Sequence, residues 1–75
     1  MKEIPFSVLL VPSTSHAVRA EKSFLASDIP CKLIPVPKTI SSNCGVCIRF
    51  STGDRQRVMA ILGQEKLDYD DIIDL

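Results

Sequence analysis

The stretch Ile4-Pro-Phe-Ser-Val-Leu-Leu-Val11 decides the fold, because its second half is apolar at every position. A strand that is apolar on both sides is typical of the centre of a sheet. Pro12-Ser-Thr-Ser15 interrupts it, and these hydroxyl groups are suited to cap the free N–H groups of a following helix. We therefore predict a central strand over residues 4–11 that leads directly into a helix.

The residues after this strand have the spacing of an amphipathic helix. Ala17, Ala20 and Phe24 recur at helical intervals within residues 15–27, and Leu25 lies on the adjoining row. We expect Phe24 and Leu25 to be the main core residues of this helix. The Ile-Pro dipeptide that follows ends it, because the residue before a proline avoids the helical region.

Three more strands and a second helix complete the pattern. Strand patterns occur at residues 31–36, 45–51 and 69–75, and a helical pattern occurs at residues 54–65. Pro35 lacks an N–H donor, so we expect residues 31–36 to lie at an edge of the sheet. The order βαββαβ predicts an α+β fold, a two-layer ferredoxin-like sandwich in which two helices cover one side of an antiparallel four-stranded sheet.

Alternation within residues 45–51 predicts which side chains face the helices. One side carries Val46, Ile48 and Phe50, and the other carries Cys47, Arg49 and Ser51. We expect Cys47 to be either exposed on the open side of the sheet or buried in a dimer. Since the first strand is apolar on both sides, the open side is expected to be partly hydrophobic, which favours a homodimer or a partner that covers it.

Composition excludes several classes of protein. The 75 residues suffice for one domain, residues 1–75, and nine basic residues balance nine acidic ones. A neutral chain is a poor nucleic-acid binder, since it lacks the basic surface that displaces counterions. The sequence contains neither a recognisable signal peptide nor an apolar run long enough for a membrane span. Its three cysteines form no even disulfide framework, so we predict a cytoplasmic protein with reduced thiols.

The segment Pro35 to Cys47 is polar and irregular, and it contains the thiol of Cys44 beside Gly45. In the predicted topology the loop before the third strand and the start of the first helix lie at the same end of the sheet. The N-terminus of a helix favours an anion, and a thiolate is one. Cys44 is therefore the candidate nucleophile.

Three basic residues are candidates for lowering the pKa of this thiol. His16 and Arg19 lie in the first turns of the helix, and Lys38 lies in the loop before the third strand. The simpler interpretation is that His16 caps or solvates the helix and that Arg19 and Lys38 are solvated surface charges.

Four motifs resemble those of a family of small bacterial and archaeal proteins described as selenium/sulfur carrier-like. They are Thr14-Ser-His-Ala-Val-Arg-Ala-Glu-Lys22, Ile34-Pro-Val-Pro-Lys38, Ile40-Ser-Ser-Asn-Cys-Gly45 and Ile48-Arg-Phe50. The resemblance covers nearly the whole chain, and Pro-Val-Pro followed by Ser-Ser-x-Cys-Gly is its most specific part. Lys38 stands where the family commonly has an arginine, and Cys47 lies outside the family pattern.

The resemblance implies a carrier that shuttles sulfur or selenium and does not turn over a substrate. Cys44 would hold the chalcogen as a persulfide or selenenylsulfide, received from a cysteine desulfurase-like or selenium-donor enzyme and passed to an acceptor protein. Ser41, Ser42 and Asn43 would donate hydrogen bonds to the terminal anionic atom. Gly45 would permit a turn with positive φ and remove bulk beside the thiol. No cofactor is implied.

Two other functions remain open from the sequence. The first is a ligand-binding or protein-interaction module, since this fold does not fix a function. The second is a thiol redox protein, in which Cys47 would be the resolving thiol for Cys44. An extended Cys44-x-x-Cys47 segment would separate the two Cα atoms by roughly 10 Å, whereas a disulfide needs less than about 7 Å. We expect Cys31 to be structural, and a metal site is not predicted because no second pair of ligands completes a tetrahedral set.

Overall fold

The structure is a computed structural model that describes residues 5–40 and 45–75. Its elements are β1 (Phe6–Leu10), α1 (Thr14–Ala26), β2 (Cys31–Pro35), β3 (Val46–Ser51), a 3₁₀ turn (Thr52–Asp54), α2 (Arg55–Gln64) and β4 (Asp71–Asp74). The predicted order of strands and helices is confirmed.

The four strands form one sheet in the order β2-β3-β1-β4, and every neighbouring pair is antiparallel. This is the predicted ferredoxin-like arrangement, with β1 in the interior of the sheet. Among the described strands, the one that contains Pro35 pairs with β3 alone, so its predicted position at the edge is also confirmed.

Both helices pack on one side of the sheet, and this side holds the main core. The buried residues of this core are Leu9, Val11, Ala17, Ala20, Phe24, Ile29, Ile48, Phe50, Val58 and Leu62. Phe24 is fully buried at the centre of the α1 contact, as predicted. The prediction for Leu25 is wrong, because its side chain is 52% exposed. One residue along a helix turns the side chain by about 100°, and α1 directs the row of Ala17, Ala20 and Phe24 at the sheet.

Each helix ends in a residue of left-handed conformation that is not glycine. Asp28 has φ 61° after α1, and Lys66 has φ 54° after α2. In both cases the next N–H donates back to the last turn, from Ile29 to the Phe24 carbonyl at 2.9 Å and from Leu67 to the Leu62 carbonyl at 3.0 Å. These are Schellman motifs, so the end of α1 depends on a reversal at Asp28 as well as on the proline after it.

The helix-free side of the sheet carries a second apolar cluster. Val8, Leu10 and Cys47 are its buried members, and Ile34, Val36, Ile40 and Ile73 pack partly buried against them. The prediction that Cys47 lies on the side of the sheet opposite the helices is therefore confirmed. The prediction that it is either exposed or buried in a dimer is wrong. Cys47 is fully buried within a single chain. The segment after β2 folds onto this side, and Val36 and Ile40 contribute to the cover.

Candidate functional site

The candidate site lies at the end of the sheet where β1 and β2 finish and β3 begins. Leu10, the last residue of β1, pairs with Cys47, and Cys47 pairs with Ile34 near the end of β2. Since α1 begins four residues after Leu10, its N-terminus and both flanks of the segment between β2 and β3 share this end. For the described residues of the two loops, the predicted placement at one end of the sheet is confirmed.

The candidate nucleophile Cys44 and its neighbours Ser41, Ser42 and Asn43 lie outside the described residues. The structure does describe both flanks of these four residues. The Val36 N–H donates to the Gly45 carbonyl at 3.0 Å, which extends the β2–β3 pairing by one step. On the other flank the Ile40 N–H donates to the Pro37 carbonyl at 2.9 Å and closes a turn.

Gly45 does not have the conformation predicted for it. None of the glycines in the described part of the chain has a positive φ. A Cβ built at Gly45 would meet no described atom within 4 Å. The expectation of a positive φ at this position is therefore wrong, and the bend at Gly45 leads into β3 without the left-handed conformation that favours glycine.

The start of α1 is held by Ser13, which the sequence marked only as one of several possible caps. The Ser13 hydroxyl accepts a long 3.4 Å hydrogen bond from the His16 N–H. The same hydroxyl lies 2.6 Å from Nδ1 of His16, and Nε2 of His16 lies 3.9 Å from the carboxylate of Asp68. His16 is thus in hydrogen-bond contact with its own helix cap, and its other ring nitrogen approaches an exposed carboxylate of the loop before β4. Nothing in the sequence distinguishes Asp68 from the other aspartates near it, so this contact was not predicted.

The three basic candidates are not all brought together. His16 and Arg19 line one shallow hollow with Ser15, on the first two turns of α1. Lys38 is exposed in the turn after β2, and the neighbouring Ile40 packs on the helix-free side of the sheet. No hydrogen bond or ion pair between described residues joins Lys38 to His16 or Arg19.

The two described cysteines are poor nucleophiles for different reasons. Cys47 is fully buried in the helix-free cluster. Cys31 is half-buried, and burial together with the nearby carboxylate of Glu21 raises the pKa of its thiol from 9.0 to about 11. Its Sγ lies 3.9 Å from the Glu21 carbonyl oxygen, to which the thiol donates. Cys31 is therefore almost entirely protonated at neutral pH, and the thiolate is the reactive form.

Within residues 5–40 and 45–75, no group of three or more His, Cys, Asp or Glu side chains is placed to hold a metal ion. In the same part of the chain, no helix is long and apolar enough to cross a membrane.

Comparison with known proteins gives one match. A family model described as "Putative Se/S carrier protein-like" matches residues 7–74, from β1 to the end of β4. A search of curated proteins found no match, and neither did a search of solved structures.

Proposed function

This chain belongs to the Se/S carrier protein-like family, and from that premise we propose that it carries sulfur or selenium on Cys44. The chalcogen would be held as a persulfide or selenenylsulfide. It would arrive from a cysteine desulfurase-like or selenium-donor enzyme and leave to an acceptor protein. The proposal places the protein in the cytoplasm, where thiols stay reduced.

The transfer step is an exchange at sulfur without net oxidation. The Cys44 thiolate attacks the outer sulfur of a persulfide on the donor enzyme. A new S–S bond forms at Cys44 as the S–S bond of the donor breaks, and the donor cysteine leaves as a thiolate. The outer sulfur keeps its proton or negative charge throughout. The same exchange in reverse, against the thiolate of an acceptor, unloads Cys44.

The observation that carries this proposal is the state of the other two thiols. A carrier cysteine must be accessible and must ionise readily. Cys47 is fully buried, and the pKa of Cys31 is raised to about 11. Of the three cysteines in the sequence, Cys44 is thus the candidate that remains, and it is also the cysteine of the Ser-Ser-x-Cys-Gly motif that resembles the family pattern.

The position of Gly45 adds support. Gly45 immediately follows Cys44 and lies at the end of the sheet where α1 begins. The N–H groups and dipole of a helix N-terminus favour an anion nearby. A thiolate or persulfide anion at this end of the sheet would be stabilised by that field.

The burial of Cys47 also bears on the redox alternative. A resolving thiol has to reach the sulfur that it attacks, and Cys47 is enclosed by Val8, Leu10 and their neighbours on the helix-free side. A redox cycle through Cys47 would require this cluster to open. We therefore favour the carrier over a dithiol mechanism.

The test is intact-mass spectrometry after incubation with a cysteine desulfurase and free cysteine. Four proteins are compared, namely the unsubstituted chain, Cys44→Ser, Cys47→Ser and Cys31→Ser. We expect one added sulfur that a reductant removes, present in Cys31→Ser and Cys47→Ser and absent in Cys44→Ser. Absence of the adduct from the unsubstituted chain, although Cys44 is alkylated at an ordinary rate, would overturn the proposal. So would an adduct that persists in Cys44→Ser.

A further inference from the structure

Two cations face each other on the helix-free side of the sheet. Lys32 of β2 and Arg49 of β3 are direct partners in the antiparallel register. Side chains at such positions share one side of the sheet, with their Cβ atoms about 4.5–5.5 Å apart. Like charges in this arrangement repel each other and destabilise the pairing. The sheet therefore holds two positive charges close together at a cost to its own stability.

The described part of the chain does not neutralise this pair. No carboxylate of the described residues forms an ion pair with Lys32 or Arg49, although Arg55 and Arg57 both have one. Arg49 instead stacks on the ring of Phe6, whose centroid lies 4.5 Å from the guanidinium carbon. A cation–π contact of this kind orients the guanidinium without removing its charge.

The pair lines a concave surface. A depression of about 360 Å³ is bordered by Phe6, Lys32, Arg49 and Ser51, together with the edge residues Pro30, Cys31 and Phe50. Ser51 lies two residues after Arg49 and directly opposite Phe6 in the β1–β3 register, so its side chain is on the same side. Its hydroxyl does not cap the helical turn that follows. One hydroxyl and two cationic groups thus converge on one hollow.

We propose that this hollow binds a phosphate-type oxyanion, with Arg49, Lys32 and Ser51 as the donors and the Phe6 ring as the wall that orients Arg49. The guanidinium offers two parallel N–H groups to two oxygen atoms of one anion, and the ammonium adds a second charge. An anion between the two cations also removes the repulsion between them. A compact oxyanion fits these observations better than an acidic protein segment, because the three donors line one hollow and do not follow an extended surface.

This hollow lies away from Gly45, the described neighbour of the proposed carrier cysteine in the sequence. Arg49 lies four residues along the chain from Gly45, which is about 13 Å at ~3.3 Å per residue of strand. It also faces the side of the sheet opposite to α1. The proposal of an oxyanion site therefore does not depend on the proposed carrier function, and the two can be tested separately.

The test is a titration of the ¹⁵N-labelled protein with inorganic phosphate, followed by the backbone amide signals at constant ionic strength with chloride as the replaced ion. We expect a saturable shift centred on Lys32, Arg49 and Ser51. Arg49→Gln and Lys32→Gln should each weaken binding about tenfold, the change expected from losing one charge-assisted hydrogen bond. Lys22→Gln, which removes the same charge from the exposed face of α1, should leave the affinity unchanged.

Circular dichroism of each variant shows whether it is folded. If Arg49→Gln does not fold, Lys32→Gln still tests the proposal, because Lys32 is exposed. Shifts that rise linearly without saturation would overturn the proposal. Equal weakening by Lys22→Gln would also overturn it, because the effect would then be one of net charge. An Asp-rich peptide is titrated in parallel. Saturable binding of the peptide at these amides without binding of phosphate would assign the hollow to an acidic partner and overturn the oxyanion site.

Discussion

Ser7 donates a 2.7 Å hydrogen bond from its hydroxyl to Oδ1 of Asp74, its partner across the β1–β4 ladder. The Thr52 hydroxyl lies 2.7 Å from the same Ser7 oxygen. Because the single hydroxyl proton of Ser7 is donated to Asp74, Thr52 is the donor in this second hydrogen bond. Arg55 donates to the same Asp74 oxygen at 2.8 Å. One buried serine thus joins β1, β4 and the 3₁₀ turn at the end of the sheet away from Gly45, and Asp74 in turn holds Arg55 at the start of α2.

We expect Ser7→Ala to lower the free energy of unfolding by about 1–3 kcal/mol, because the variant loses two hydrogen bonds of a buried hydroxyl, one of them to a charged carboxylate. The matched control is Ser23→Ala, since Ser23 donates a 3.1 Å hydrogen bond to Glu65 at the exposed surface. That control should change stability by less than about 0.5 kcal/mol. Urea denaturation measures both, and equal effects would contradict the special role of Ser7.

Phe24 and Leu25 provide a direct test of how α1 is oriented. Phe24→Ala should cost about 3–5 kcal/mol, because it removes a fully buried ring from the core under the helix. Leu25→Ala should cost less than about 1 kcal/mol, since half of that side chain is already in water. Urea denaturation again measures the difference. Comparable losses for the two variants would show that Leu25 is buried in solution.

The contrast between these neighbours shows what the sequence predicts well. Alternation and helical spacing predict the six main elements and their order, because period-2 and period-3.6 patterns follow from backbone geometry. They do not decide which of two adjoining apolar rows faces the sheet. That choice depends on contacts between α1 and residues far away in sequence, such as Ile48 and Phe50.

The site was less accessible to sequence reasoning than the fold. The common end of the sheet for α1 and Gly45 follows from topology, and it was predicted. The burial of Cys47 depends on Val36 and Ile40, which lie in a segment without a repeating pattern. Local sequence does not specify to which side such a segment folds. The role of Cys44 stays a prediction, because that residue is outside the described part of the chain.

Lys66 is the place where a simple substitution should stabilise the protein. Its φ of 54° is unfavourable for a residue with a Cβ, whereas glycine adopts it without a steric penalty. Because Leu67 still donates to Leu62 in the same motif, Lys66→Gly should raise the free energy of unfolding by about 1 kcal/mol. Thermal denaturation is the measurement, with Lys66→Ala as the control for loss of the charge. A gain that Lys66→Ala reproduces would mean that φ is not its cause.

Cys47 should behave as a core residue. We expect N-ethylmaleimide to leave Cys47 unmodified in the native protein and to modify it once urea unfolds the chain, because no part of its side chain is accessible. Cys47→Ala should cost about 1–2 kcal/mol through the lost contacts with the helix-free cluster. Cys31→Ala, at a half-buried position, should cost less. Rapid modification of native Cys47, mapped by peptide mass, would contradict the enclosure by Val36 and Ile40.

Cys31 should make the free energy of unfolding depend on pH in the alkaline range. Its thiol has a pKa raised to about 11 from an ordinary value of 9.0, first by burial and second by Glu21. The folded state therefore holds this proton more tightly than the unfolded state does. The resulting stabilisation is fully present below pH 9 and is lost as the pH rises through 11. Urea denaturation should show a steeper loss of stability between pH 9 and 11 for the unsubstituted chain than for Cys31→Ser, which does not titrate there.

Alkylation of Cys31 tests the same pKa and its electrostatic cause. The rate with iodoacetamide should rise with a midpoint near pH 11 in the native protein, since only the thiolate reacts. Glu21→Gln should lower this midpoint, because a neutral amide no longer disfavours a negative sulfur beside it. The matched control is Glu65→Gln, which removes the same charge from a carboxylate that contacts Ser23 at the exposed surface. This variant should leave the midpoint unchanged. A midpoint near pH 9 in the unsubstituted protein would mean that Cys31 is solvated. The assignment of the carrier role to Cys44 would then rest on the burial of Cys47 and no longer on the raised pKa of Cys31.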